Sequence, residues 1–458
     1  MRDYEVLRQQ HVALLARILP QFVQRLRWTA EQLADERRHR LRALLRVALA
    51  GSSWHRARLA GIDPDRFEER DLVHVPPMTK GDLMAHWDDI VTDRRLTLDA
   101  VERHLAGLTS DAYLADEFHA VASGGSTGTR GVYVFGWEPW AVAYAGFLRP
   151  MLWDRAMTPG ADAAPNTIAV IAAHHATHMT SSIADTFSNP DLKTVRFPIS
   201  RPIDEIVHEL NAFQPGSLIA YASALGMLVR EARAGRLRIS PRRVVSTSEP
   251  LLPEARQAVE EAFGTTVGNI YGTSEAGPVA TGCWRGSGMH LCDDLVIVEP
   301  VDRHGRAIDV GVRSDKVYIT AVSNPTLPLI RFEMTDQVQL LDAACPCGSA
   351  HRLIADVEGR VDDVFEYEGG VLVHPHVFRS VLCRDRSIVE YQVRQTPTGA
   401  EVHGVGSAVD SEGIAQTIAR ELTRLGVKSP TVTFRLVGQL ARQPTGKMRR
   451  FVPLAESR

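Results

Sequence analysis

A short segment rich in glycine and hydroxyl residues has the composition of a phosphate-binding loop. It lies within AVASGGSTGTRGVYVFG, immediately before a β-rich run. Glycines let the backbone curl so that its N–H groups converge on an anion, and hydroxyl groups add further donors. The segment lacks the lysine of the GxxxxGKS/T loop, so it is not the loop of nucleoside triphosphatases. A loop of this kind taken alone can also be a flexible turn. We predict a phosphate cradle formed by Ser123, Gly124, Gly125, Ser126, Thr127 and Gly128.

Four cysteine and histidine residues have the spacing of a structural zinc site. Cys345 and Cys347 form one half of a zinc-knuckle pattern, which needs two more ligands. Cys283 and His290 lie upstream in a C-x6-H pattern and complete a tetrahedral Cys3His set. Such a site would fasten two loops to each other. Two alternatives stay open, namely Cys292 as a rival ligand and buried free thiols without a metal.

The chain must form more than one unit to position these residues. Its 458 residues exceed one ordinary core, which favours a large domain and a small one. Residues 1–70 show helical spacing and predict a helical cap with a loop at Gly51. Between about 118 and 330, β-rich runs alternate with helical ones, as in α/β domains with mixed sheets. The predicted fold class is α/β, with a large N-terminal domain of mixed β-sheets flanked by helices, residues 1–358, and a small α+β C-terminal domain, residues 359–458.

The composition argues against several functional classes. The formal net charge of −3 and the lack of a long basic run disfavour nucleic-acid binding. No apolar run approaches the roughly 18 residues that span a bilayer, and the N-terminal segment carries charges where a signal peptide needs an apolar core. Five cysteines in such a chain do not suggest a disulfide framework. We expect a cytoplasmic protein that binds neither nucleic acid nor a membrane, and a homodimer is left open.

The phosphate-loop segment is the first of several motifs that follow the order of one enzyme family. SGGSTGTRG resembles the phosphate loop of the adenylate-forming superfamily, which includes acyl-CoA synthetases, luciferases and the adenylation domains of peptide synthetases. The family's later motifs are resembled, in order, by STSEPL, YGTSEAGP, PLIRFEMTD, VEGRVDDVF and QPTGKMRR. VPPMTKGDLMAHW, MHLCDDLVIVEPVD and ACPCGSAHR further resemble the phenylacetate-CoA ligase branch. The likeness runs from about residue 70 to the C-terminus.

The resemblance implies a role in ATP binding for each motif. Glu275 would bind Mg²⁺, a hard cation that prefers carboxylate oxygens, and Asp336 would accept hydrogen bonds from both ribose hydroxyls. Arg360 would place a cation near the ribose or the α-phosphate. Lys447 would bring a point charge to the α-phosphate during adenylation. The remaining ATP contacts would come from Ser123, Ser126, Thr127, Ser248, Glu249, Pro250, Tyr271, Gly272 and Thr273.

The same resemblance implies two half-reactions in two domain orientations. After adenylation the small domain would be mobile, rotating about a hinge at Asp362 to present another face for thioester formation. Gly369 falls where the family's loop passes close to the pantetheine channel, which favours CoA as the acceptor. The expected cofactors are therefore ATP, Mg²⁺ and CoA. The four-ligand site would add a structural Zn²⁺, as in some members of this branch.

The predicted substrate pocket departs most from the family pattern. The segment IAAHHATHMTSSIADTF contains His174, His175 and His178 where relatives carry pocket sequence. We interpret one or two of these imidazoles as groups that orient the substrate carboxylate. Zinc ligands, or polar residues that close a strand, are the alternatives. The predicted pocket residues are His174, His175, Tyr221, Ala222, Gly272 and Gly277.

These features predict an AMP-forming ligase that adenylates a small, aromatic carboxylic acid, releases pyrophosphate and transfers the acyl group to CoA. Two other activities fit the motifs. One is an adenylating enzyme that passes the acyl group to a carrier protein or an amine. The other is an ATP-dependent diazotase of secondary metabolism, which activates nitrite toward an aromatic amine and is kept open by the histidine-rich pocket. A non-enzymatic nucleotide-binding module is disfavoured because Glu275 and Lys447 are both present.

Overall fold

The computed structural model describes most of the chain as helices and strands connected by short loops. The described residues are 2–123, 130–157, 167–173, 175–189, 191–249, 251–285, 288–355, 357, 365–373, 375–382, 384–385, 387–438, 440 and 451–454. The helices are α1 (Tyr4–Gln24), α2 (Ala30–Gly51), α3 (Ser53–Arg58), α4 (Lys80–Ala85), α5 (Trp87–Ile90), α6 (Leu98–Gly107), α7 (Trp137–Met157), α8 (Met179–Thr186), α9 (Ile203–Phe213), α10 (Ala222–Arg233), α11 (Pro253–Phe263), α12 (His376–Leu382) and α13 (Ser411–Arg424), with 3₁₀ turns at Arg25–Arg27 and Glu69–His74. The strands are β1 (His119–Ala122), β2 (Val132–Phe135), β3 (Thr167–Ala172), β4 (Lys193–Pro198), β5 (Ser217–Tyr221), β6 (Arg243–Thr247), β7 (Val267–Thr273), β8 (Gly277–Gly282), β9 (Met289–Leu291), β10 (Ile297–Val301), β11 (Lys316–Thr320), β12 (Phe332–Met334), β13 (Leu340–Leu341), β14 (Leu353–Ile354), β15 (Phe365–Tyr367), β16 (Val371–Val373), β17 (Ile388–Thr396), β18 (Gly399–Gly406), β19 (Thr431–Leu436) and β20 (Phe451–Val452).

A nine-stranded mixed sheet lies at the centre of the N-terminal part, in the order β13-β14-β9-β8-β7-β6-β5-β3-β4. Neighbouring strands from β4 to β7 are parallel, whereas β8, β9, β14 and β13 are joined by antiparallel pairings. Strands of a parallel sheet are largely buried, which is consistent with the apolar run TIAVIA in β3. Side chains of α9, α10 and α11 form a core with these strands. The predicted mixed α/β architecture is thereby confirmed.

A second core joins the N-terminal helices to the antiparallel part of the molecule. It contains side chains of α1, the β1–β2 hairpin, α7, β8 and β9. Local signals fix the helix ends: Thr29 and Gln32 form a capping box at α2, which ends at Gly51, and Ser52 alone separates it from α3. No helix in the described part of the chain combines the length and the apolar character needed to cross a bilayer.

The C-terminal described residues have a core of their own. The β15–β16 hairpin turns at Gly369 and Gly370, which have φ of +82° and +75°, values that glycine adopts without strain. Strands β19-β18-β17-β20 form a four-stranded sheet on which α12 and α13 pack through Phe378 and Ile418. The described residues of this part thus combine helices and strands in an α+β arrangement. The boundary proposed between residues 358 and 359 lies outside the described residues and stays a prediction.

Candidate active site and metal centre

A cavity of about 1140 Å³ opens on one face of the nine-stranded sheet and reaches the carboxyl ends of β5, β6 and β7. Ligands of open α/β sheets usually bind at this end of the strands. The predicted site residues that line the cavity are Ser123, Tyr221, Ser248, Glu249, Tyr271, Gly272, Thr273, Glu275 and Asp336. Motifs that are far apart in the sequence therefore meet in one place.

The strand ends explain how the STSEPL segment reaches the cavity. Tyr221 is the last residue of β5, and Ser248 follows β6 directly. Ser248 has a φ of +65°, a left-handed conformation that redirects the chain at this point. Glu249 accepts a hydrogen bond of 2.9 Å from the backbone N–H of Ser223 in the first turn of α10, where an acid is favourable. Pro250 lies outside the described residues.

Glu275, the predicted Mg²⁺ ligand, is buried beside Lys80, which was not among the predicted site residues. Its Oε1 atom accepts a hydrogen bond of 2.8 Å from the Tyr133 hydroxyl and lies 3.2 Å from Lys80 Nζ. Lys80 Nζ also donates a hydrogen bond of 3.4 Å to Ser123 Oγ. Burial, and then the Glu275 carboxylate, raise the pKa of Tyr133 well above its usual value, so the hydroxyl remains a donor. Lys80 is thus the described lysine that joins the phosphate-loop residue to the predicted metal ligand.

Ser123 closes the base of the predicted phosphate loop. Its backbone N–H donates to the Gly131 carbonyl, and its Oγ accepts from the Gly131 N–H, both at 2.9 Å. A Cβ atom at Gly131 would overlap the Tyr133 hydroxyl, so glycine is what lets that hydroxyl lie here and reach Glu275. The remaining predicted cradle residues, Gly124 to Gly128, lie outside the described residues.

Tyr271 and Asp336, both predicted to contact ATP, contact each other. The Tyr271 hydroxyl donates a hydrogen bond of 2.9 Å to Asp336 Oδ2. Burial, followed by the Asp336 charge, raises the pKa of Tyr271 well above its usual value. A Cβ at Gly272 would lie 2.7 Å from the Phe147 ring, so glycine allows α7 to pack against β7 here. Thr273 Oγ1 accepts a 3.0 Å hydrogen bond from the Ala276 N–H and shapes the turn that carries Glu275.

The histidine-rich segment contributes His178 to the cavity, whereas His174 and His175 were the predicted pocket residues. His178, the N-terminal capping residue of α8, lines the cavity, whereas His175 does not and His174 lies outside the described residues. Enclosure, and then the positive charges around it, lower the pKa of His178 to about 4, so the imidazole is neutral near pH 7. Ala222 and Gly277 are buried and are likewise not part of the described lining.

Among the described C-terminal residues, an arginine brings a positive charge to the cavity. Arg379 of α12 lines it, and its guanidinium lies 5.3 Å from the centre of the Phe451 ring. Arg379 is not among the predicted site residues, because nothing in its local sequence indicates chemistry. The predicted residues Arg360, Asp362 and Lys447 lie outside the described residues, so their roles stay predictions.

The four predicted zinc ligands come together at the antiparallel end of the sheet and do not line the cavity, although Gly282 and Trp284 on either side of Cys283 do. The ligand atoms of Cys283, His290, Cys345 and Cys347 all lie within 4.8 Å of one another. Cys283 follows β8, His290 is the central residue of β9, and the other two cysteines lie in the loop between β13 and β14. The rival ligand Cys292 is outside this cluster. Two loops and a strand therefore converge as the spacing predicted.

Hydrogen bonds around the cluster fit the needs of a metal site. His290 Nδ1 lies 3.1 Å from the His351 carbonyl, an arrangement in which Nδ1 donates and Nε2 keeps its lone pair. Nε2 lies 3.3 Å from Cys347 Sγ, inside the cluster. Burial raises the pKa of Cys283 to about 12 and also raises that of Cys347, so thiolates here require a compensating cation. The donor set fits Zn²⁺, with no position left for a substrate.

Sequence comparisons relate about half of the chain to two curated proteins. No protein-family model matches it. It is 27% identical to phenylacetate-coenzyme A ligase of Thermus thermophilus over 263 residues, covering 51% of this chain and 59% of that protein. It is 23% identical to protein CapK of Staphylococcus aureus over 251 residues, covering 53% of this chain and 54% of that protein. The chain thus spans a little over half the length of the curated relatives that it matches.

Solved structures match over nearly the whole chain. A 2-hydroxyisobutyryl-CoA ligase in complex with 2-HIB-AMP and CoA, in the thioesterification state, has a TM-score of 0.61 and 20% identity, covering 94% of this chain and 91% of that chain. The same enzyme in its postadenylation state has a TM-score of 0.59, with the same identity and coverage. At this identity the match shows a shared fold.

Proposed function

We propose that this chain, a member of the adenylate-forming superfamily in its phenylacetate-CoA ligase-like branch, activates a small carboxylic acid as an acyl adenylate and then transfers the acyl group to CoA. In the first step a carboxylate oxygen would attack the α-phosphorus of ATP, and pyrophosphate would leave. In the second step the CoA thiol would attack the acyl carbon, and AMP would leave. The observation that carries the proposal is the cavity that gathers Ser123, Lys80 and Glu275 beside Tyr271 and Asp336.

The phosphate side of the cavity has the charges that adenylation requires. Glu275 would hold Mg²⁺, which when bound neutralises phosphate oxygens and stabilises the leaving pyrophosphate. Lys80, which now pairs with Glu275 and Ser123, would supply a fixed positive charge to the same phosphates. Tyr133 would hold the Glu275 carboxylate in place through its hydrogen bond. Lys447 would complete the site at the α-phosphate.

The nucleoside side would be formed by the Tyr271–Asp336 pair. A carboxylate can only accept hydrogen bonds, so Asp336 suits the ribose hydroxyls, and donation from Tyr271 fixes its orientation. Ser248 and Glu249 would border the adenine. Because the hydrogen bond already exists, little reorganisation would be needed when ATP binds.

We propose a separate, structural role for the Cys3His cluster. Cys283, His290, Cys345 and Cys347 would hold one Zn²⁺, and the closed donor set would fasten the β8–β9 and β13–β14 connections to each other. This metal would take no part in acyl transfer.

A product screen tests the proposed function. Purified protein is incubated with ATP, Mg²⁺ and a panel of aliphatic, aromatic and amino-aromatic acids, and pyrophosphate and thioester are measured with and without CoA. Acid-dependent pyrophosphate release with CoA-dependent thioester formation is expected. Pyrophosphate release that requires nitrite and an aromatic amine would instead identify the diazotase. Acid activation without a thioester, but with transfer to an amine or a carrier protein, would reject CoA as the acceptor.

A further inference from the structure

One part of the cavity lies along the sheet face, and strand register defines its floor. Val170 on β3 pairs with Arg196 on β4 and with Ile219 on β5, and Ile219 pairs with Val245 on β6. Paired residues of neighbouring strands point to the same face, and these four all line the cavity. At a strand spacing of about 4.8 Å, the row extends about 14 Å from β6 to β4. The floor is therefore wide enough for an aromatic ring with a substituent.

The middle of this space is apolar. Val170, Ile219 and Val245 form the floor, and Phe147 of α7 and Ile183 of α8 also line the cavity. At the β7 side, Val245 pairs with Gly268, where a Cβ would lie 2.5 Å from the ring of Trp284. The Trp284 ring thus covers the glycine and bounds the row on this side. An occupant with a flat apolar centre fits these walls.

The β4 end of the row is polar but electrically balanced. Arg196 forms an ion pair with Asp185 of α8, and its Nη2 donates a hydrogen bond of 2.9 Å to the Ala184 carbonyl. Their side chains are only 22% and 36% exposed. Because each charge already has its partner, a charged group added here would lie in a confined space without a counter-ion. This end of the pocket therefore favours a neutral polar group.

Tyr144 of α7 adds a hydroxyl at the same end. Its ring stacks on Phe187 at 4.7 Å and lines the cavity, and its hydroxyl has no hydrogen-bond partner among the described residues. Phe187 follows Asp185, the partner of Arg196, by two residues, and all of these side chains line the same cavity. Burial raises the pKa of Tyr144, and the positive charge of Arg196 opposes the rise. A largely enclosed hydroxyl needs a partner, and since no described side chain supplies one, a ligand in the cavity can do so.

We propose that the acid activated by this chain carries a neutral hydrogen-bonding substituent, a phenolic hydroxyl or an aromatic amino group, at the end remote from its carboxyl group, and that Tyr144 beside the Arg196–Asp185 pair recognises it. The inference rests on the proposed function and names the substrate class for that site. A methyl group of similar size would leave the Tyr144 hydroxyl unpaired, which is how a site built for a hydroxyl or amine rejects its apolar analogue.

The test measures kcat/KM for pyrophosphate release with the 4-hydroxy, 4-amino and 4-methyl forms of benzoic, phenylacetic and cinnamic acids. On the best scaffold we expect a preference of tenfold or more for the hydroxy or amino form over the methyl form. Tyr144→Phe should reduce this preference about tenfold and leave the methyl acid within about threefold. Tyr318→Phe, which removes a buried hydroxyl outside the cavity lining, is the matched control and should leave the preference unchanged.

A second variant tests the charge balance. Asp185→Asn leaves Arg196 without its partner, so it should raise kcat/KM for the 4-carboxy acid of the same scaffold at least tenfold. Equal use of hydroxy and methyl acids, or a preference that survives Tyr144→Phe, would overturn the inference while leaving acid adenylation intact. A 4-carboxy acid preferred by the unaltered protein would overturn it as well. Absence of pyrophosphate release with every acid would contradict the proposed function itself.

Discussion

The two halves of the nine-stranded sheet differ in how they arrange their polar side chains. The parallel half surrounds an open cavity, whereas the antiparallel half brings its ligands into a closed cluster. At the carboxyl ends of β5, β6 and β7, loops carrying the motifs surround an open cavity. At the other half, the connections of β8, β9, β13 and β14 bring Cys283, His290, Cys345 and Cys347 into contact with one another. An open site leaves room for reacting groups, whereas a closed four-ligand site holds only a metal. Changes in the first half should therefore affect chemistry, and changes in the second should affect stability.

The largest effect is expected at Glu275. Glu275→Gln replaces the predicted Mg²⁺ ligand with a neutral amide, so kcat/KM for pyrophosphate release should fall roughly 10²–10³-fold, or about 3–4 kcal/mol. Zinc content and the denaturation midpoint should stay as in the unaltered protein. Steady-state kinetics and metal analysis check both points. Glu261→Gln, on the exposed face of α11, is the control, and a comparable loss there would undermine the assignment.

A substitution in the antiparallel half should lower stability and leave acid activation nearly unchanged. Cys345→Ser removes one of four thiolate or imidazole ligands, so the purified protein should lose its zinc and about 3 kcal/mol or more of unfolding free energy. The protein that remains folded should keep acid activation within about threefold. Metal analysis and chemical denaturation, with Cys292→Ser as a control that keeps its zinc, provide the readouts. Unaltered protein that contains no zinc when prepared without chelators would contradict the metal site.

A smaller effect is expected from the lysine next to Glu275. Lys80→Ala removes a phosphate-directed charge but leaves the predicted metal ligand, so kcat/KM for ATP should fall about 10–100-fold. Lys316→Ala is closely matched, because Lys316 also pairs with a carboxylate, that of Glu333 at 2.6 Å, yet does not line the cavity. Kinetics varied in ATP distinguish the two variants. If Lys80→Ala and Lys316→Ala changed kcat/KM for ATP to the same extent, the proposed role of Lys80 at the phosphates would be contradicted.

The smallest effect expected is a loss of stability at low pH. It is caused by His55, which lies in neither half of the sheet. His55 is buried and hydrogen-bonds to the Pro328 carbonyl at 2.9 Å, and burial lowers its pKa to about 4. The unfolded chain then binds the proton first, so stability is lost as pH falls from about 6.5 toward 4. At pH 5 the loss from this group is about 2 kcal/mol. Urea denaturation of the unaltered protein and His55→Gln should show a shallower pH dependence in the variant, and parallel curves would contradict the assignment.

Sequence motifs located the proposed nucleotide-side residues because each of these residues lies in a short segment that resembles a family motif. Glu275, Tyr271 and Asp336 indeed line one cavity, and the Cys3His spacing anticipated the cluster. Lys80 belongs to a segment that resembles the phenylacetate-CoA ligase branch and is one of five lysines in an arginine-rich chain. Those signals could have selected it, but its contact with Glu275 depends on long-range packing. Tyr133 gave no signal, since it is one residue in an apolar strand.

The proposed substrate pocket was harder to predict because its side chains are separated in sequence and belong to ordinary helices and strands. Tyr144 lies in an apolar helix, and Arg196 in a short strand, so neither has a local pattern that indicates binding. Only the strand register and the packing of α7 and α8 bring them to one end of the cavity. The clustered histidines gave a stronger local signal, but of the two described members only His178 lines the cavity. The chemistry of this pocket therefore depends on tertiary packing and not on a local sequence pattern.

Isotope exchange between pyrophosphate and ATP tests the central claim most directly, because it requires a reversible acyl adenylate and needs no acceptor. Protein, ATP, Mg²⁺ and labelled pyrophosphate are incubated with and without each hydroxy- or amino-substituted aromatic acid. We predict that label enters ATP only when a suitable acid is present, and that Lys447→Ala and Glu275→Gln lose this exchange while remaining folded. Exchange that is absent with every acid, or that persists undiminished in both variants, would contradict the account.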